Sequence, residues 1–510
     1  MSDAAAFAAG IDPRRRLIIT ASIMLASIMQ SIDNTIANVA LPRIQGSLSA
    51  TQDQMAWVLT SYIIAAAIMT PLSGWLAGQI GRKRILLYSV VGFTIASMLC
   101  GLAQSLPQIV AARLLQGLCG AALVPMSQAV LLDINPPAHH GRAMAIWVMA
   151  VTIGPIVGPA LGGWLTENYN WRWVFYINVP FGILAFLGIA GAMTETAIRR
   201  SRFDFFGFTA LSIGIGALQL MLDRGQLRDW FSSTEIWIEA TVAGIALYLF
   251  VVHMLTTVKP PFVSTSLFKD RNFLTGNVFI FIVGAVLFAT LALLPPLLQD
   301  LLNYPVLTTG LVTAPRGLGT FCAMFVVGRI MGRIDTRLII AIGFALTAFS
   351  SWQMAGFDLQ MDSRIVIWSG LAQGLGTGFV YVPLAAVTFA TLSPALRNEG
   401  TAIFSLTRNL GSSIGISIVE TLLTRNTQIV HSTLAEHVTR FSPVLRAQVP
   451  NGLPTMQTLA ALNASVTQQA SMIAYNNDFK LMMVLSLASI PLVLLLRKGR
   501  PVKAEPMAIE

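Results

Sequence analysis

Arg14-Arg15-Arg16 is followed by Leu17-Ile18-Ile19-Thr20-Ala21-Ser22-Ile23-Met24-Leu25-Ala26-Ser27-Ile28-Met29-Gln30-Ser31-Ile32, and then by Asp33-Asn34-Thr35-Ile36-Ala37-Asn38-Val39-Ala40-Leu41-Pro42. The uncharged run behind a basic cluster has the length and composition of a membrane-spanning helix, and Asp33 falls inside it. A carboxylate at such a depth costs roughly 2.5–3.5 kcal/mol on insertion scales, so it needs a compensating role. A carboxyl group that can be neutral or charged within a membrane suits a proton carrier.

Working outward, the 510-residue chain is 55% hydrophobic and only 11% charged. Soluble domains carry about 25% charged residues, so this composition belongs to a polytopic, all-α membrane protein. Apolar segments long enough to cross about 30 Å of hydrocarbon fall near 17–39, 55–76, 84–103, 107–131, 143–165, 173–193, 205–222, 235–256, 272–294, 306–328, 338–357, 365–391, 403–423 and 479–496. Charge tests this count of fourteen. Of the 33 Lys and Arg residues, 21 lie in alternate connections that share a side with both termini, among them Arg82-Lys83-Arg84 and Arg497-Lys498. That asymmetry predicts that both termini are cytoplasmic and that the excess of basic residues serves topology rather than nucleic acid. Cys100, Cys119 and Cys322 all fall within apolar spans, which argues against a disulfide framework or a metal site. No cleavable signal peptide is expected, because the apolar run after Arg16 is too long.

The first and last six spans echo one another. Leu41-Pro42-Arg43-Ile44-Gln45 resembles Pro295-Pro296-Leu297-Leu298-Gln299, offset by 254; Gln116-Gly117-Leu118 recurs as Gln373-Gly374-Leu375, offset by 257. Gly141 answers to Gly400, and the basic loop after the second span recurs around Arg333. The expected organisation is a cytoplasmic tail (1–16), a six-helix bundle (17–193), two inserted helices with linkers (194–271), a second six-helix bundle (272–496) and a tail (497–510). The second bundle includes a long outer loop (424–478), polar and without assigned structure. Duplicated halves suit alternating access around a site near the midplane.

These landmarks carry a family resemblance over nearly the whole chain. Asp33-x-Thr35-x-x-Asn38-Val39-Ala40-Leu41-Pro42 resembles the first-helix signature of fourteen-helix exporters. Gly74-x-Leu76-Ala77 through Gly81-Arg82-Lys83 resembles the loop between helices two and three of the major facilitator superfamily, with Gly78 at the usual acidic position. Arg113-x-x-Gln116-Gly117 is similar to the fourth-helix motif of proton-coupled members. Gly154-x-x-x-Gly158-Pro159-x-x-Gly162-Gly163 is similar to the fifth-helix motif of exporters, and Trp171-Arg172-Trp173 through Asn178-Val179-Pro180 completes the pattern. The chain thus resembles fourteen-helix drug:proton antiporters of the major facilitator superfamily, of the EmrB type. The resemblance implies a transporter rather than an enzyme, with no cofactor, working on small-molecule substrates and protons in the inner membrane. Exporters of that type work with a periplasmic adaptor and an outer-membrane channel, which sets the same expectation for the long loop here.

Among individual residues, Asp33 and Arg113 are the candidates for proton coupling. A guanidinium stays protonated in proteins, so Arg113 within a span must meet a carboxylate, carbonyls or water. Gln116, three residues on, shares its helix face. Asn34, Asn38, Tyr62, Gln116 and Arg408 are candidates for the substrate pathway, with Trp57, Phe404 and Met side chains as apolar lining. Gly154, Gly158 and Gly162 give one helix a smooth face for close packing, bent by prolines such as Pro159; Gly163, Gly74, Gly81 and Arg82 are the other packing or gating candidates. Rival classes find little support. No Lys is followed by Ser or Thr, so no phosphate-binding loop of the ATPase kind is present. Gly411-Ser412-Ser413-Ile414-Gly415 matches a hydrolase elbow formally but falls in an apolar span. The residues leave open export of an endogenous metabolite, siderophore or lipid-like compound; a receptor without transport would give Asp33 and the duplication no purpose.

Overall fold

The computed structural model describes residues 12–50, 52–136, 139–196, 198, 202–257, 261–331, 333–393, 396–438 and 456–496. They form fourteen long helices: α1 Pro13–Leu48, α2 Gln52–Ile80, α3 Arg82–Leu102, α4 Leu106–Gly120 continued by Leu123–Ile134, α5 His140–Asn168, α6 Trp173–Tyr176 continued by Asn178–Ala192, α7 Phe205–Arg224 and α8 Thr234–Thr256, then α9 Arg271–Pro296, α10 Val306–Thr313 continued by Pro315–Ile330, α11 Thr336–Met354, α12 Ser363–Ala390, α13 Arg397–Glu436 and α14 Met456–Leu492. Thirteen are long and apolar enough to cross a membrane. The fourteenth expected span, at 143–165, is α5, which at 29 residues is about 43 Å long and also exceeds the hydrocarbon thickness.

Local chemistry explains the interruptions. Pro125 and Pro315 sit just beyond the breaks in α4 and α10, where a residue without N–H cannot continue the ladder. Pro295-Pro296 ends α9 in a single π turn, Leu297–Leu301. Gly81 has φ +91, a conformation that side chains resist, and it starts α3 without a linker.

The packing repeats between halves. In the first six helices α1 lies along α5 and α6, while α4 lies along α2 and α3; in the last six α9 lies along α13 and α14, while α12 lies along α10 and α11. Across the halves α2 meets α13 and α5 meets α10, two contacts that exchange when the halves are exchanged. Helices α7 and α8 pair with each other, and α7 rests on α2 and α13.

Glycines set the closest approaches. A Cβ on Gly154 or Gly158 would collide with Ser31 or Thr35 of α1, and one on Gly162 would stand 2.7 Å from Ile36. The second half does the same: a Cβ on Gly411 would strike the Phe281 carbonyl, and one on Gly415 would stand 2.6 Å from Ala285 of α9. The Gly411–Gly415 stretch that formally matched a hydrolase elbow is therefore a helix-packing face, at an offset of 257 from Gly154 and Gly158.

The outer segment left without assigned structure is helical over most of its described residues. α13 runs to Glu436 and α14 starts at Met456, so two arms extend beyond the apolar spans. At 40 residues α13 is about 60 Å long, roughly twice the hydrocarbon thickness. His431 Nε2 meets Asn463 Oδ1 at 3.0 Å across the arms, and Gln468 donates to the Leu301 carbonyl at 3.0 Å. Alternating polar and small residues hid these arms, since no face is apolar enough to register as a span.

Candidate functional site

Asp33 of α1 is fully buried, and three donors converge on it. Arg113 Nη1 donates to Oδ2 at 2.7 Å, Gln116 Nε2 to Oδ1 at 2.8 Å and Asn178 Nδ2 to Oδ1 at 2.8 Å. Arg113 and Gln116 come from one face of α4, as their spacing predicts. Asn178 starts the long segment of α6. An ionised carboxylate only accepts, so three donors match the charged form.

Arg113 is held from every side. Its Nε donates to the Val58 carbonyl at 3.2 Å, Nη1 also reaches Gln116 Oε1 at 2.8 Å, and its guanidinium lies 4.3 Å from the Tyr62 ring centroid. Cation–π contact and the charged hydrogen bonds offset the desolvation of a side chain only 1% exposed. A second layer fixes the donors: Asn178 also donates to Ser97 Oγ at 2.9 Å, Ser97 donates to the Phe175 carbonyl at 2.8 Å, and Gln30 reaches the Tyr62 hydroxyl at 3.4 Å. Removing either member of such a buried pair strands the other, at a cost of roughly 3–5 kcal/mol.

The chemical consequence is mechanical. A proton on Asp33 removes the charge that strengthens all three hydrogen bonds and adds an O–H that needs an acceptor of its own. Loss of that charge weakens the joint between α1, α4 and α6.

The other sequence candidates fall in several places. Gln116 and Tyr62 belong to the carboxylate network itself. Asn34 is exposed on α1, and the side chains of Asn38 and Pro159 lie outside the described residues. Arg408 of α13 donates to the Tyr381 hydroxyl at 3.1 Å, remote in sequence from the Asp33 network. Trp57 is partly exposed beside Arg224, whereas Phe404 is fully buried against Phe389. Gly163 is half-buried on α5.

At the end of the molecule that carries the basic loops, Arg82 does more than anchor topology. It pairs with Asp133 of α4 and donates to Asn398 Oδ1 of α13 at 2.6 Å. Arg397 of α13 donates to the other Asp133 oxygen at 2.7 Å. A Cβ on Gly74 would stand 3.1 Å from the backbone of Asn398 and Glu399, so α2 and α13 touch here without spacers. Glu195 accepts from the Lys83 and Arg84 backbone N–H groups at 3.1 and 3.2 Å, supplying the cap that the start of α3 lacks. One carboxylate thus joins a guanidinium from each half. Asp133, Asn398, Arg397, Asn178 and Ser97 were not singled out from the sequence. Asn178 lay within a quoted motif, which was the one available signal; Asp133 and Asn398 sit at helix ends, where polar residues are ordinary.

Comparison with known proteins agrees with this architecture. The family model "Major Facilitator Superfamily" matches residues 23–416. The chain is similar to the fatty acid resistance protein FarB of Neisseria gonorrhoeae, 38% identical over 93% of this chain and 95% of that protein. It is also similar to the multidrug export protein EmrB of Escherichia coli K12, 37% identical over 91% and 92% of the two chains. Among solved structures, the human organic anion transporter MFSD10 superposes with a TM-score of 0.59 over 93% of this chain and 100% of that one; at 13% identity this is a likeness of fold alone. Duplicated packing, a buried carboxylate network and these matches together place the chain in the major facilitator superfamily, among its EmrB-type members.

Proposed function

We propose that this chain is a proton-driven exporter that moves apolar or cationic small molecules outward across the cytoplasmic membrane by alternating access. The observation that carries the reading is Asp33: a fully buried carboxylate that accepts from Arg113 and Gln116 of α4 and from Asn178 of α6, so that a proton on it weakens all three contacts. The names of the relatives, multidrug export and fatty acid resistance, supply the substrate class. The distribution of basic residues supports cytoplasmic termini by the positive-inside rule, and the repeat supports domain limits of 17–193 and 272–496 with 194–271 between.

In this reading the Arg82–Asp133–Arg397 junction closes the cytoplasmic end, with the two halves meeting through α2 and α13. A proton arriving from outside neutralises Asp33 and releases Arg113 toward Val58 and Tyr62, which already hold it. The loosened α1–α4–α6 joint lets the halves rock, the junction opens, and the proton leaves inward as substrate enters. One proton descending a gradient of roughly 150 mV supplies about 3.5 kcal/mol, enough for a concentration ratio of a few hundred for a neutral substrate. The helical arms of α13 and α14 are the surface offered to a periplasmic adaptor that leads to an outer-membrane channel.

The test is proton flux in proteoliposomes. Adding a substrate such as ethidium to vesicles holding the purified protein and a pH-sensitive dye is expected to release protons against the direction of substrate movement. Substrate movement that leaves internal pH unchanged would overturn the coupling, and absence of any movement would overturn the exporter reading.

A further inference from the structure

The second half contains the mirror of the Asp33 site with one member missing. A Cβ on Gly117 of α4 would strike the Tyr62 carbonyl of α2; a Cβ on Gly374 of α12 would strike the Arg316 carbonyl of α10. Gly117 and Gly374 are offset by 257 and Tyr62 and Arg316 by 254, the offsets of the repeat, so contacts and sequence agree on the correspondence. By the same offsets Gln116 corresponds to Gln373, Arg113 to Gly370 and Asp33 to Leu287.

The cation has changed helix. In the first half α4 supplies Arg113 and α2 supplies the ring beneath it. In the second half α10 supplies Arg316, and Gly370 of α12 leaves room: a Cβ there would stand 3.7 Å from the Arg316 Cβ. The amide is kept as Gln373, but the acid is gone. Arg316 is 9% exposed, and its Nη2 donates to the backbone carbonyl of Leu287 at 3.2 Å, the position where the first half holds its aspartate. Among the described residues its Nη1 has no hydrogen-bond partner and its guanidinium has no ion pair. Gln373 is fully buried with neither its Oε1 nor its Nε2 partnered among the described residues. On α12, Gly370, Gln373 and Gly374 share the face turned to Arg316.

A buried guanidinium without an anion costs several kcal/mol, and one beside an amide with two idle atoms is a constellation short of an acceptor. We propose that Arg316, with Gln373, forms an anion subsite whose acceptor is the carboxylate of a substrate, which takes the place in the second half that Asp33 occupies in the first. The ligand class is a carboxylate-bearing amphiphile: the planar fork of Arg316 suits two carboxylate oxygens, and Leu287 with its apolar neighbours suits the tail. The site rests on the exporter reading and deepens it, since a substrate carrying its own carboxylate completes the symmetry of the two halves.

Binding to the purified full-length protein in nanodiscs tests this, with radiolabelled decanoate as the charged probe and decanol as its uncharged match. Arg316→Gln is expected to weaken decanoate by about tenfold or more while changing decanol far less, as removal of a charged hydrogen bond should. Leu287→Asp places an internal carboxylate on Arg316 and strands no charge, so it is expected to fold and to abolish decanoate binding selectively. Gln373→Leu serves where Arg316→Gln fails to fold and is expected to weaken decanoate more than decanol. Equal losses for both probes in these variants, or decanoate binding that survives Leu287→Asp, would overturn the proposal. Proton release by ethidium in the unmodified protein reads the exporter assignment separately, so either idea can fail without the other.

Discussion

Asp133→Asn addresses the junction at the end that carries the basic loops. Asp133 holds Arg82 of the first half and Arg397 of the second, with side chains 6% and 10% exposed, while Asp133 itself is 26% exposed. Stranding a fully buried charge costs roughly 3–5 kcal/mol, and solvent access to Asp133 lowers that toward about 2 kcal/mol. Arg82 keeps Asn398 as a partner, which limits the loss further. Because these contacts join the halves, the cost falls mainly on the conformation in which the junction is closed. A shift of about 2 kcal/mol changes the closed-to-open ratio roughly thirtyfold. Spin labels at Arg84 and Ile334, exposed positions in opposite halves at this end, report it by double electron–electron resonance once Cys100, Cys119 and Cys322 are replaced. The expected result is a new long-distance population in Asp133→Asn that is minor in the parent. An unchanged distance distribution would refute the assignment of the junction as a latch.

Other predictions follow from packing and capping. Gly158→Leu forces a side chain into Thr35, should cost about 1–3 kcal/mol through overpacking, and should abolish efflux while the protein still inserts; full efflux would reject close packing as essential. Asp204 caps α7: burial pushes its carboxyl up, but the Gly207 and Phe262 N–H groups and His253 outweigh this and hold it below its ordinary value. A depressed carboxyl contributes stability above its unfolded value of about 3.9 that is lost as pH falls through the lowered folded value. Asp204→Ala should therefore lower the melting temperature in detergent at neutral pH, with a cap worth about 1 kcal/mol, and the difference from the parent should shrink at strongly acidic pH.

How much of this was legible beforehand depended on whether burial left a mark on residue type. Apolar length located the spans, and Asp33 with Arg113 stood out because charges are rare there. Charge alone required that Arg113 meet a carboxylate, carbonyls or water, and it left the partner open. Asn178 gave less away, because an amide near the start of a helix is also an ordinary terminal residue. Asp133 and Asn398 lie at helix ends among polar neighbours, where sequence cannot tell a bridge between halves from a solvated side chain. The Gly411–Gly415 repeat of the fifth-helix motif was hidden because the prolines of Gly154–Gly163 have no counterpart there. Arg316 is a cation within an apolar span, but its meaning depends on Gly370 and Leu287, two unremarkable residues that matter only once the helices are superimposed.

The central claim is that proton movement passes through Asp33. Asparagine keeps the shape and two acceptor sites' worth of contacts but cannot ionise, and Arg113 retains Val58, Gln116 and Tyr62 as partners, so Asp33→Asn is expected to insert. The direct measurement is ethidium transport by this variant in proteoliposomes under an imposed pH gradient, beside the parent and beside a binding assay. The account predicts that gradient-driven transport is lost while ethidium still binds. Transport at the parent's rate, with its dependence on the gradient intact, would contradict it.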